Sequence, residues 1–295
     1  MASSPSLWQE ISSRISRAIH RPFASVQVKP VGGGCINSAS RIEGNGLAFF
    51  VKLNNAAKLS MFEAEAAGLE EIARTHTVRV PQPICCGVEA SQAFLVLEYI
   101  ELGSRGDSSL LGTQLAQLHK PTSDKFGWSR DNTIGSTPQI NMQSDDWIEF
   151  WRERRLGFQL SLAAKNGYSG ALQKKGERLA GSLDIFFRDY QPQPSLLHGD
   201  LWGGNAAFDS RGNPVIFDPA VYYGDREADL AMTELFGGFG RGFYSAYREA
   251  FPLDRGYEVR KTLYNLYHVL NHLNLFGGSY LRQAEGMIDG LLAQV

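Results

Sequence analysis

Cysteine, charge of one sign and long apolar runs are all scarce in this chain. Only Cys35, Cys85 and Cys86 occur among 295 residues, without CxxC or metal-finger spacing. That excludes a disulfide framework and a zinc-finger module, and it fits a reducing compartment. Acidic and basic residues nearly cancel, 31 against 29, for a formal charge of −2. Such a balance gives no global electrostatic grip on nucleic acid or on an anionic membrane. No run approaches the ~18 uninterrupted apolar residues of a membrane span, and the N-terminal MASSPSLWQEISSRISRAIH has no apolar core before a small-residue cleavage site. The expectation is a cytoplasmic protein with neither nucleic-acid nor membrane partners. Repeats and low-complexity linkers are missing too, which leaves one large or two medium domains at the usual ~150 residues each.

What is present divides by texture. Leu7, Ile11, Ile15 and Ile19 recur at helical spacing until Pro22, and Glu10 argues for an integral first helix rather than a transit segment. SVQVKPVGGGCINSASRIEG reads as strand, glycine-rich turn and strand, and LAFFVKLN as a third strand. MFEAEAAGLEEIARTH is a strong helix with Met61, Ala64, Leu69 and Ile72 on its apolar face. VRVPQPICCGVEASQAFLVLEYIEL supplies two more strands. From Gly103 on, helices dominate: SSLLGTQLAQLHK, DWIEFWRERRLGFQLSLAAKNG, roughly 171–190, and the C-terminal stretches, interrupted only by short strands near NAAFD and PVIFDP. The fold class expected is α+β. A small antiparallel-sheet lobe at 1–101 is followed by a larger helical lobe at 102–295.

The chemistry gathers around LLHGDLWGGNAAF, where Asp200 and Asn205 stand five residues apart. Such a loop can be turn chemistry alone, since Gly, Asn and Asp all favour turns. Gly32, Gly33 and Gly34, between strands, can bring backbone N–H groups close to phosphate oxygens, although a glycine triplet by itself marks many plain hairpins. Lys52 follows AFFV in a strand, and Glu65 lies thirteen residues on in the helix, with Glu63 as its competitor. Singly, each is an ordinary surface charge. Together with His-x-Asp, the later Asn and VIFDP ending at Asp218, they reproduce the order of a protein-kinase-like phosphotransfer site. In that order the glycine loop covers the ATP phosphates, and Lys52 binds them while Glu65 holds it. Asn205 and Asp218 hold Mg²⁺, and Asp200 takes the proton of the attacking hydroxyl. Backbone groups of Glu98 and Ile100 lie where a strand crosses between lobes and should meet the adenine edge.

GGGCINSA, FVKLN, MFEAEAAGL, LVLEYI, DWIEFWRERRLGFQL, HGDLWGGN and VIFDPAVYYGDREADLAMTELFGGF together resemble the fructosamine/ketosamine 3-kinase family, in the aminoglycoside-phosphotransferase-like branch of the kinase fold. The resemblance runs from about Trp8 to Leu291. It implies a two-lobed protein-kinase-like fold and ATP-dependent, Mg²⁺-assisted phosphorylation of the sugar 3-hydroxyl of ketosamines. The acceptors it implies are fructosyl- or ribulosyl-lysine adducts, free or on glycated protein lysines. The phosphorylated adduct is unstable, so the implied role is protein deglycation.

Two features argue against an ordinary protein kinase. Trp202 stands where kinases of Ser/Thr usually carry Lys, and GDREADLAM follows Asp218-Pro219 too closely for a long activation segment. A kinase of another small alcohol or amine, aminoglycoside- or choline-like, shares the ATP machinery and differs in its acceptor pocket. A pseudokinase would lack one of the charged positions, all of which are filled here. Trp202, two residues after the base, is expected to wall the acceptor site, the alternative being a ring packed under the loop. His198 and His119 read as buried scaffold, and Asp229 as an acceptor for backbone N–H groups of the catalytic loop. Cys35, beside the glycine triplet, is a candidate redox switch that would make the protein a monomer or a redox-dependent dimer. Cys85 and Cys86 read as apolar fillers.

Overall fold

The computed structural model describes residues 5–25, 27–32, 36–103 and 105–295. Its contacts divide the chain into two units, Met1–Gly106 with Phe208–Phe217, and Asp107–Ala207 with Asp218–Val295.

The first unit begins with helix α1 (Pro5–Ala18), followed by strands β1 (Gln27–Val31), β2 (Ser38–Gly44) and β3 (Leu47–Asn55). Helix α2 (Leu59–Arg74) and strands β4 (Pro83–Glu89) and β5 (Gln92–Glu98) complete its main body. Among the described residues these strands form one antiparallel sheet in the order β1-β2-β3-β5-β4. Asn45 and Gly46 both take positive φ, 53° and 74°, as a tight two-residue hairpin requires. Alternation along β3 decides what each face carries. Phe49, Val51 and Leu53 enter one buried cluster with Leu7, Ile11 and Ile15 of α1. Lys52, out of phase with them, faces α2 instead. Phe62, Leu69 and Ile72 of α2 are buried.

The first unit also takes in a distant hairpin. Strands Ala206–Asp209 and Pro214–Ile216 join the short strand Leu102–Gly103 in a three-stranded sheet. Phe208 pairs with Gly103 and Asp209 with Leu102, and the Ile216 N–H donates to the Arg79 carbonyl at 3.0 Å. Arg79 clamps this arrangement through Asp209 at 2.8 Å and Glu98 at 2.7 Å. A single division at residues 101 and 102 therefore differs from the observed one: long-range strand pairing draws Phe208–Phe217 away from its neighbours in sequence.

In the second unit, Asp107 caps helix α3 (Ser108–Leu118) by accepting the Ser109 N–H at 2.8 Å. The amphipathic stretch after Asp146 is continuous but not uniformly α-helical. Helix α4 (Trp147–Phe150) passes into a π-helical segment, Trp151–Gly157, before helix α5 (Phe158–Lys165). Gly157 permits the widened turn, since a Cβ there would lie 2.6 Å from the Arg152 carbonyl oxygen. This segment carries Arg155 into full burial, with its guanidinium 4.6 Å and 4.1 Å from the Phe150 and Tyr222 rings. Trp147, Phe150 and Trp151 are core residues. The helix expected over 171–190 is shorter: α6 (Ala171–Gly181) gives way to a 3-10 turn at Leu183–Phe187. Helices α7 (Arg226–Leu235), α8 (Arg241–Ala250), α9 (Tyr257–Phe276) and α10 (Leu281–Leu292) follow. No helix of the described residues is long and apolar enough to cross a membrane.

Candidate active site

In the first unit the structure pairs Lys52 with Glu65. The Lys52 Nζ lies 2.6 Å from Glu65 Oε1, and the two side chains are 6% and 10% exposed. Position along α2 chooses between the two candidate acids: Glu65 turns toward β3, whereas Glu63 is exposed. A cation this buried is held in place by its carboxylate. At the end of β5 the Glu98 N–H donates to the Gln82 carbonyl at 2.8 Å, and its side chain engages Arg79. Ile100, two residues on, is half-buried. Gly32 is exposed, and a Cβ there would meet nothing within 4 Å. Gly33, Gly34 and Cys35 lie outside the described residues. Burial pushes the Cys85 thiol up to about 11 and the Cys86 thiol upward, so neither is a thiolate near neutral pH.

In the second unit two short strands, Ser195–Leu197 and Tyr222–Gly224, pair antiparallel. The segments that continue from them, His198–Asp200 and Asp218–Ala220, are thereby brought alongside each other. The Ala220 N–H donates to the His198 carbonyl at 2.8 Å. Gly199, at φ 82°, has to be glycine, because a Cβ would fall 2.1 Å from the Ala220 carbonyl oxygen. The loop then turns on a hydrogen bond from the Asn205 N–H to the Trp202 carbonyl at 2.9 Å. Asn205 Nδ2 donates to the Asp200 carbonyl at 2.8 Å and to Asp200 Oδ2 at 3.2 Å. The five-residue spacing thus closes a ring in which the amide holds the carboxylate. Asp218 is exposed and sits at φ 57°, a left-handed conformation uncommon for residues other than glycine and concentrated at functional sites.

A buried network sets this loop. Asp225 caps α7 by accepting the Glu227 N–H at 3.0 Å, and the helix then presents Asp229 one turn later. Asp229, 1% exposed, accepts the His198 N–H at 2.6 Å and the Gly199 N–H at 2.8 Å. Its third donor is His119 Nε2 at 3.2 Å. His119 Nδ1 meets the Tyr247 hydroxyl at 2.8 Å, and that hydroxyl accepts from Arg226 at 3.2 Å. His198 is fully buried, and its Nδ1 accepts the Asp200 N–H at 3.2 Å, so the ring serves as scaffold for the loop. Burial alone would raise the Asp229 carboxyl; the His119 hydrogen bond, the nearby histidines and the Gly199 N–H overcome it and hold the group below its usual range. Asp200 goes the other way. Burial pushes its carboxyl well above the usual range, the Asp218 charge adds to the push, and the Asn205 amide opposes it.

The donor set suits a hard divalent cation. Both side-chain hydrogen bonds of Asn205 to Asp200 leave from Nδ2, so neither of them uses the amide oxygen, a hard donor. Asp218 adds a carboxylate, and the repulsion it exerts on Asp200 is the kind a bound cation relieves. Trp202 is 38% exposed rather than packed beneath the loop. Its ring lies over Gly204, where a Cβ would come within 2.3 Å of Trp202 Cζ2.

No local pattern in the sequence marks Arg79, the buried Asp209 or the aromatic residues that extend from Trp202, beyond the FGGFG run after α7 as a pointer to the last of these.

A family model described as fructosamine kinase matches residues 7–294. The chloroplastic protein-ribulosamine 3-kinase of Arabidopsis thaliana is 48% identical over 270 residues, covering 90% of this chain and 82% of the relative. A solved structure from Haemophilus somnus described as a fructosamine-3-kinase superposes with a TM-score of 0.89 at 28% identity, covering 97% of this chain and 99% of that one. A thermostable variant of the aminoglycoside phosphotransferase APH(4)-Ia gives a TM-score of 0.61 at 13% identity over 96% of this chain and 98% of its own. At that identity the likeness concerns the fold, which is the α+β architecture of kinase-like phosphotransferases.

Proposed function

Because the chain belongs to the fructosamine kinase family, we propose that it transfers the γ-phosphoryl group of ATP to the 3-hydroxyl of ketosamines, fructosyl- or ribulosyl-lysine adducts, and so acts in protein deglycation. The observation that carries the reading is the Asp200–Asn205 ring, with its backbone held from behind by Asp229.

In this reading the tasks divide among the side chains as follows from their chemistry. Asp200 accepts the proton of the attacking hydroxyl, and its raised affinity for protons suits it to that step. Asn205 keeps the carboxylate oriented by its two Nδ2 hydrogen bonds. Lys52, fixed by Glu65, offers its ammonium to the nucleotide phosphates. Asn205 and Asp218 would hold Mg²⁺, which when bound neutralises charge on the β- and γ-phosphates. Trp202 presents an exposed ring to the acceptor. Transfer needs little covalent chemistry from the protein, so positioning and charge supply most of the rate.

An ATP-consumption assay against fructosyl-lysine, ribulosyl-lysine, an aminoglycoside and choline tests the proposal. Turnover is expected with the two ketosamines, and turnover only with the other acceptors would overturn it. Asn205→Ala and Asp218→Ala are expected to need roughly tenfold or more Mg²⁺ for half-maximal activity, since each removes one of few protein ligands. Magnesium titration at saturating ATP reads this directly, and a wild-type Mg²⁺ profile in both variants refutes the metal assignment.

A further inference from the structure

Aromatic rings continue outward from the catalytic loop on the surface of the second unit. The Trp202 ring meets Phe236 edge-on at 6.0 Å between centroids. Phe236 meets His272 at 5.0 Å, and His272 meets both Phe276 at 5.4 Å and Tyr280 at 5.2 Å. His272 and Phe276 stand four residues apart on one face of α9, and Phe236 directly follows α7, where Gly237 and Gly238 take φ of 100° and 75°.

Exposure sets the strip apart. Trp202, Phe236 and Phe276 are 38%, 37% and 56% exposed, and no other tryptophan or phenylalanine among the described residues is exposed. Isolated exposed apolar side chains need no explanation, but a contiguous line of them leading from a catalytic loop marks a binding surface. The strip is also held in form. His272 Nδ1 donates to the His268 carbonyl at 2.7 Å, which fixes the ring.

A ketosamine has two ends. Its sugar must reach Asp200, and its other end is a secondary amine, cationic near neutral pH, on the carbon stem of its parent amine. Aromatic faces attract such a cation and pack against such a stem. Three successive ring-to-ring steps of 6.0, 5.0 and 5.4 Å lead from Trp202 to Phe276, whereas a lysine stem is four methylenes at ~1.5 Å per bond. The strip therefore outlasts a lysine stem and has room for peptide beyond it.

Resting on the ketosamine-kinase reading, we propose that Phe236, His272 and Phe276 continue Trp202 as the amine-side subsite and select ketosamines borne on peptidyl lysine over those borne on small free amines. The stem lies along Trp202 and Phe236, and the flanking peptide lies on Phe276 and Tyr280.

The test compares kcat/KM for a fructosylated or ribulosylated lysine within a short peptide against the same sugar on methylamine. Wild type is expected to favour the peptide adduct. Phe236→Ser and Phe276→Ser are each expected to lower that preference roughly three- to tenfold, mainly through KM for the peptide adduct, in line with the loss of one aromatic contact to a cationic or apolar group. Met142→Ser, as exposed as Phe276 and outside the strip, should keep the wild-type ratio. No preference in wild type, or an unchanged ratio in both phenylalanine variants, overturns the subsite and leaves the kinase reading standing. Absence of turnover with every ketosamine in wild type would instead remove the kinase reading itself. Sedimentation run alongside covers the remaining outcome: a dimer that Phe276→Ser dissociates with no change in the ratio makes the strip a contact between copies and also overturns the proposal.

Discussion

Asp200→Asn is expected to lower kcat by about 10²–10⁴-fold, the usual share of a positioned general base, while leaving ATP affinity close to wild type. The substitution keeps shape while removing the capacity to take a proton and the negative charge. The loop should stay in place, because Asn205 still donates to the backbone carbonyl of residue 200 and Asp229 still accepts the N–H groups of His198 and Gly199. Folding stability should not fall either. Burial and the Asp218 charge disfavour the ionised Asp200, so a neutral amide relieves a strain that the wild type carries. The combination expected is a melting temperature equal to or above wild type in metal-free buffer, with turnover nearly abolished. Nucleotide titration, thermal unfolding and steady-state kinetics on one preparation read all three quantities, and near-normal kcat in a folded variant would reject Asp200 as the base.

Replacing Asp229 should be costly to both fold and rate. Its carboxylate serves three buried donors, the backbone N–H groups of His198 and Gly199 and the His119 ring. Asp229→Ala strands all of them, at about 1–3 kcal/mol for each buried unsatisfied group and without strict additivity. At roughly 2–4 °C per kcal/mol for a chain of this order of size, a fall in melting temperature on the order of 10 °C is expected. Asp229→Asn is the sharper variant, since an amide oxygen can still accept while its NH₂ faces a donor. The pH dependence follows from the depressed folded-state affinity of Asp229 for protons. A carboxyl whose value is lowered on folding contributes stability above its unfolded value and loses it as pH falls through the folded one. Wild type should therefore exceed Asp229→Asn by most at neutral pH, and the gap should narrow on acidification through and below the ordinary carboxylate range. Urea unfolding at stepped pH measures the gap, and a gap independent of pH would show that the ionised carboxylate is not what holds the loop. Activity should fall with stability, because the same two N–H groups fix the backbone that carries Asp200.

Asp200 and Asp229 were legible in sequence to different depths. HGDLWGGN announced a loop in which an aspartate and an asparagine cooperate, and the structure joins them through the Asn205 amide. Asp229 was readable as an acceptor for the same loop from its place just after the Asp218 segment, in EADLAM; that Asp225 caps the helix one turn before it comes from the structure. Its link through His119 and Tyr247 back to Arg226 was not readable, since His119 follows α3 and Tyr247 lies in α8, with no common period joining them to α7.

By itself the sequence determined the features that arise from neighbours in the chain. Alternation in LAFFVKLN turned Lys52 away from the apolar face, and helical spacing built the buried side of α1. Each of these follows from local sterics and from a repeat of two or about 3.6 residues. Only the tertiary structure decided the choices between chemically equal candidates. It selected Glu65 over Glu63 for Lys52, assigned Phe208–Phe217 to the first unit through Arg79 and the strand Leu102–Gly103, opened a π-helical turn around Arg155, and aligned Trp202, Phe236, His272 and Phe276 from three distant segments. The physical reason is common to all four. A carboxylate, a hairpin or an aromatic ring finds its partner through contacts between parts of the chain remote in sequence, and nothing in the local pattern of a glutamate or a phenylalanine records which partner packing will bring to it.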